Sequence, residues 1–175
     1  MKKPVYFIMF ALLGIAIAYQ VYAYYDSDSK VTSSSKAQLP ELLVTSYDSL
    51  SLDVQKLAEG KHLVMFLVRS DCGFCKQQIA QVNQYIDEFE NTEVVFISFE
   101  DFDKIRQIKA KHLPEDRDYI RLASGKKEDF TPILDEDLVY PYMLWYDENS
   151  KELGQYRGVF PVTKILEVVE ARKAS

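Results

Sequence analysis

Two apolar runs, 62–68 (HLVMFLV) and 93–99 (EVVFISF), have the length and the β-branched and aromatic content of buried strands. Between them Ile79, Val82, Ile86 and Phe89 recur at the three-to-four spacing of one helix face, which predicts a long helix over 73–90. Upstream, 42–45 reads as a first short strand, the alternating 47–52 as its hairpin partner, and 53–59 as a short helix or turn closed by Gly60. Downstream, Phe102, Ile105 and Ile108 share a face and predict a helix over 101–111, capped by Asp101 or Asp103. A polar connection, 114–118, leads to a short strand at 119–122 and a turn at 124–127; 130–138 fits neither period. A strand at 142–146, a turn at 147–150 and a partner strand at 151–156 form a hairpin. Pro161 opens a last helix to about residue 171, with Ile165, Leu166, Val168 and Val169 apolar. Strands separated by helical segments, then a hairpin and a final helix, predict an α/β fold with a central mixed sheet flanked by helices. No internal repeat is visible.

The first 25 residues follow a different rule. Lys2 and Lys3 precede 22 residues without a charge, 4–25, the pattern of an export signal. Ala16-Ile17-Ala18 and Val21-Tyr22-Ala23 each offer a cleavage site of the small-x-Ala kind. A helix over the same stretch would be about 33 Å long, enough to cross a hydrocarbon core of about 30 Å. Tyr22, Tyr24 and Tyr25 would then sit at the interface. A cleaved signal and a retained anchor both remain open, and each exports the rest of the chain to the extracytoplasmic or periplasmic side. The polar, Ser-rich 26–38 reads as a flexible linker, which leaves 39–175 as one folded domain.

Composition narrows the partners. The chain has 175 residues and a net charge of −6; losing 1–23 would remove two lysines and no acid, leaving 19 bases against 27 acids. An acidic body without a basic stripe is not a nucleic-acid binder. A domain of this size builds a core without covalent staples. The two cysteines are therefore free for chemistry.

Both cysteines lie in 69–76 (RSDCGFCK), between the first buried run and the long helix. Cys72 thus falls where a helix begins. Unsatisfied N–H groups and about half a positive charge favour a thiolate there, and the thiolate is the reactive form. Cys75 follows one turn later, close enough to close a disulfide. The pattern points to thiol–disulfide exchange, with Cys72 as the exposed attacking sulfur and Cys75, more buried, as the resolving one. A zinc site would need four ligands, and the other soft candidates, His62 and His112, read as surface histidines. No metal and no cofactor is expected. Phe74, between the sulfurs, is expected to be exposed as an apolar lip. The acidic runs Glu115-Asp116 and Asp135-Glu136-Asp137 read as solvated loops, and Trp145 and Tyr146 as core.

This order of elements, with C-x-x-C between strand and helix, resembles the thioredoxin fold, and within it the exported TlpA/ResA-type thiol–disulfide oxidoreductases. The likeness rests on Leu39-Pro40, Gly60-Lys61, 93–98 (EVVFIS), 140–147 (YPYMLWYD) and 156–158 (YRG), and covers about 39–172. It implies a cis Tyr140–Pro141 bond opposite the sulfurs. It also implies substrate binding along Gly73, Phe74, Tyr140 and Pro141, protein thiols or disulfides as substrates, and a membrane electron donor. The chain departs from thioredoxin in having Asp71 before the first cysteine and Phe66 where a buried acid stands. Gly73-Phe74 is closer to the Gly-Tyr of isomerases of the DsbC type. Without a separate dimerisation domain a monomer is expected, and a reductase rather than an oxidase or isomerase. The alternative outside enzymology is a binding module on the same scaffold whose cysteines turn over little.

Overall fold

The computed structural model describes residues 13–16, 19–20, 38–113, 116–134 and 138–173. The chain divides into two compact units, Met1–Val31 and Thr32–Ser175. In the first, 13–16 and 19–20 are helical and exposed; the rest of the charge-free stretch expected to direct export, and nearly all of the expected linker, lie outside the described residues. Among the described residues no helix is long and apolar enough to cross a membrane. Of the two acidic runs, Asp116 is exposed, whereas Glu115 and 135–137 lie outside the described residues.

The second unit is built in the order β1 (Leu43–Ser46), β2 (Ser51–Asp53), α1 (Val54–Leu57), β3 (His62–Leu67), α2 (Gly73–Gln84), β4 (Thr92–Ser98), α3 (Phe102–His112), β5 (Ile120–Ser124), α4 (Lys127–Phe130), β6 (Tyr142–Tyr146), β7 (Glu152–Arg157) and α5 (Val162–Lys173). The seven strands form one mixed sheet in the order β2-β1-β5-β4-β3-β6-β7. β3 runs parallel to β4, and β4 to β5; every other pairing is antiparallel. This is a thioredoxin-like fold.

The unbroken apolar runs become the two central strands, and every residue of β3 and β4 is buried. Alternation along them divides the core. Leu63, Met65 and Leu67 join Val95, Ile97, Tyr142 and Leu144 in a cluster closed by Leu39, Leu42, Val54 and Phe130. Phe66 and Phe96 face the other way and stack with ring centroids 5.4 Å apart. Ile79 and Val82 of α2, Ile105 and Ile108 of α3 and Ile165 of α5 are the buried cover of that second face.

Several expectations are corrected. The long helix stops at Gln84, because Tyr85 leaves helical geometry (φ −113°, ψ 26°), and a separate 3₁₀ turn, Ile86–Phe89, carries the remaining apolar residues. Asp101 stands at the N-cap of α3 without making a side-chain cap bond. Lys127 is not turn but the first residue of α4, which a 3₁₀ turn, Thr131–Ile133, extends. The hairpin partner of β1 begins only at Ser51, since Ser46 bonds the Asp48 carboxylate and the Leu50 N–H to build the turn between them.

His62 is not a surface residue. It is 7% exposed at the start of β3, with Nε2 3.4 Å from a Glu148 oxygen and its ring beside Trp145. His112, at the end of α3, is half-buried, and burial together with Lys76 and Lys111 pushes its proton affinity down.

Candidate active site

Cys72 is the N-cap of α2, with extended backbone (φ −85°, ψ 113°), and its Sγ accepts the Cys75 N–H at 3.1 Å. It thus does for the helix what a serine or aspartate oxygen usually does. That bond and the helix dipole act on the same atom. A hydrogen bond to a charged acceptor contributes about 1.5–3 kcal/mol, so the same N–H would favour a thiolate at Cys72 once the bridge is reduced. Cys75, one turn in, is fully buried, whereas Cys72 is partly exposed. The two are joined in a disulfide, Cα to Cα 5.2 Å.

Sheet register brings the second half of the site to the first. β6 runs antiparallel to β3 with Leu67 opposite Tyr142, so the residues entering β6 lie beside those leaving β3. The Tyr140–Pro141 bond is cis. Cys72 Sγ lies 3.7 Å from the Tyr140 carbonyl oxygen. The four residues marked from sequence around the sulfurs are thereby gathered in space. Gly73 has nothing within 4 Å of where a Cβ would stand, and Phe74 is 66% exposed. Val139, half exposed, adds a second apolar side chain before Tyr140.

The turn before Cys72 carries an ion pair. Arg69 holds Asp71 at 3.0 Å and places its guanidinium 5.7 Å from the centre of the Tyr140 ring. Burial raises the proton affinity of the Tyr140 hydroxyl; Arg69 opposes this and Glu100 adds to it. Lys76, Lys111 and His112 line a recess of about 60 Å³ together with Ser70, Gln107 and Ile108.

Two residues of this neighbourhood were not singled out from sequence. Glu100 accepts from the Ser70 N–H (2.6 Å), the Ser70 hydroxyl (2.8 Å) and the Ser98 hydroxyl (3.2 Å). Gln78, fully buried in α2, donates to the Phe160 carbonyl at 3.2 Å and accepts the Phe160 N–H at 2.7 Å. Glu100 had one readable signal: it follows a central strand at the carboxyl end, where open α/β sheets gather their chemistry. Gln78 had none, since its partners are backbone groups 82 residues away.

The AhpC/TSA family model matches residues 36–169. The chain belongs to the AhpC/TSA family. No curated protein matches it. Solved structures share the fold. A Chlorobium tepidum protein assigned as the thiol:disulfide interchange protein DsbE is 20% identical, with 78% of this chain and 95% of that one covered and a TM-score of 0.62. A secreted Mycobacterium tuberculosis disulfide oxidoreductase homologous to E. coli DsbE is 13% identical, covering 75% and 96%, TM-score 0.58. Arabidopsis thaliana ScoI, solved with copper bound, is 14% identical, covering 79% and 100%, TM-score 0.59. Thiol–disulfide oxidoreductases and Sco proteins are thus both built on the frame that holds Cys72 and Cys75 here.

Proposed function

We propose that this protein is an exported thiol–disulfide oxidoreductase acting on protein substrates through Cys72 and Cys75, in the reducing direction. The observation that carries the reading is the asymmetry of the pair. Cys72 is accessible, holds the Cys75 N–H on its sulfur and faces the Tyr140 carbonyl, while Cys75 is sealed behind it.

The exchange starts from the dithiol. Cys72 loses its proton to solvent, and its thiolate attacks one sulfur of a substrate disulfide. A Cys72–substrate bond forms, the substrate bond breaks, and the departing thiolate takes up a proton. Cys75 then gives up its proton and attacks Cys72 Sγ. The Cys72–Cys75 bond forms, and the second substrate sulfur leaves and is protonated. Two electrons have passed to the substrate, and a donor at the membrane must restore the dithiol.

Exposed Phe74, next to a sulfur that faces the Tyr140 backbone, favours a polypeptide laid across Phe74 and Tyr140. The reducing direction is supported by Asp71. Strong stabilisation of a thiolate favours the reduced state and makes an oxidant, and a carboxylate next to Cys72 works against it. Lys2, Lys3 and the charge-free stretch behind them support export.

Reduction of insulin disulfides by the pre-reduced protein tests this. Wild type is expected to turn over and Cys72→Ser to be inactive. Equal, negligible rates would favour the binding module. Thiol trapping in cells tests direction: mostly free thiols fit a reductase, and a mostly closed bridge an oxidase.

A further inference from the structure

Glu100 has no part in the exchange just described, yet its carboxylate takes three donors at the mouth of the site. Two are the N–H and hydroxyl of Ser70, two residues before Cys72. The third, Ser98, is the last residue of β4 and itself accepts the Glu100 N–H at 3.3 Å. The end of one central strand is thereby tied to the turn leaving the other. Among the described residues no cation pairs with Glu100, whereas Asp71 has Arg69.

We propose that Glu100 is a positioning residue that fixes the turn into Cys72 and, through its charge, sets how readily the Cys72 thiol ionises. The inference rests on the reading of Cys72 as the attacking sulfur. The charged or ionisable groups around the turn are Arg69 and Asp71 within it, Tyr140 under the Arg69 guanidinium, and Lys76, Lys111 and His112, which share a recess with Ser70. The helix dipole pulls the thiol toward thiolate. Asp71, paired with Arg69, opposes it from the solvent side. Glu100 opposes it from the strand side, with no such cation beside it among the described residues. It reaches the turn from the strand side, where Ser70 separates it from solvent-facing Asp71.

Ser70 stands two positions before Cys72, so the carboxylate that it binds is held at the turn into the helix. A unit charge about 10 Å from a titrating group, at an effective dielectric constant near 20, moves its midpoint by about one pH unit. Removing the charge while keeping the hydrogen bonds separates the two parts of the role. In Glu100→Gln the amide oxygen still accepts the Ser70 N–H, and the amide nitrogen can donate to the Ser70 hydroxyl. In Glu100→Ala both are gone.

The test is the pH profile of iodoacetamide alkylation of reduced, full-length protein, read at Cys72 by peptide mass spectrometry with thermal unfolding alongside. Glu100→Gln is expected to shift the Cys72 midpoint down by about one pH unit with an unchanged unfolding temperature. Glu100→Ala is expected to shift it similarly and to unfold earlier. A Glu100→Gln midpoint equal to wild type would overturn the proposal, even if Glu100→Ala were less stable, because hydrogen bonding alone would then account for the residue. The proposed function fails separately: a wild type that does not reduce insulin defeats that reading, while a shifted Glu100→Gln midpoint would still uphold this one.

Discussion

The Cys72 sulfur lies 3.7 Å from the carbonyl oxygen of Tyr140, a residue 68 positions further along the chain. Neither residue's neighbours in sequence create that contact. It follows from the register of β3 against β6, which sets Leu67 beside Tyr142 and so brings the start of α2 to the loop before β6. On the proposed function, a substrate sulfur approaching Cys72 would meet the backbone of Tyr140 and the side chain of Phe74 together.

Phe74 is exposed and lies outside the buried core. Phe74→Ser should lower kcat/KM for a protein disulfide about five- to tenfold, the equivalent of losing one partly buried apolar contact of about 1–1.4 kcal/mol. Its unfolding temperature should match wild type. Steady-state insulin reduction and calorimetry check the two halves, and an unchanged kcat/KM would remove Phe74 from the substrate surface.

Gln78 satisfies both backbone groups of Phe160 from within the core. Gln78→Leu keeps the volume and leaves a buried N–H and C=O without their partner. The expected cost is about 2–6 kcal/mol, from about 1–3 per stranded group. Urea unfolding measures it, and a loss below about 1 kcal/mol would mean that water replaces the side chain.

Phe66 stacks on Phe96 beneath α2 and is 1% exposed. Phe66→Ala should destabilise the protein by about 3–5 kcal/mol through lost transfer energy and the cavity left behind. Chemical denaturation reads this, and the same variant should retain the Cys72–Cys75 bridge.

Glu93 is 2% exposed and bonds Arg121 Nε at 2.5 Å. Burial raises its proton affinity, and the hydrogen bond and charge of Arg121 only partly oppose this. The folded carboxyl thus holds its proton to a higher pH than the unfolded one, whose value is about 4.3. Its contribution to stability is fully present below about pH 4 and is lost as pH rises through the folded value. The difference in urea midpoint between wild type and Glu93→Gln should therefore fall from about pH 4 upward and then level off. A difference that rises over the same range would contradict the assignment.

Much of this could be read before the fold was known. The runs 62–68 and 93–99 are continuous because both faces of a central strand are covered, and periodicity reports that directly. Cys72 at a strand-to-helix junction is likewise local information, as is a proline opening a strand. What stayed hidden depends on pairing at a distance. Glu100 looks like any polar residue after a strand until Ser70 is brought to it. His62 looks exposed until Trp145 and Glu148 from the β6–β7 hairpin close over it. The early end of α2 is invisible in an apolar pattern that continues through Phe89, since a 3₁₀ turn can keep the same side chains inward.

The central claim is that Cys72 attacks and Cys75 resolves. Reduced Cys75→Ser, mixed with an excess of a disulfide-bonded protein substrate and analysed by non-reducing electrophoresis and mass spectrometry, addresses it directly. The account predicts a stable mixed disulfide mapped to Cys72, with none formed by Cys72→Ser. An adduct mapped to Cys75 in Cys72→Ser, with none at Cys72 in Cys75→Ser, would contradict it.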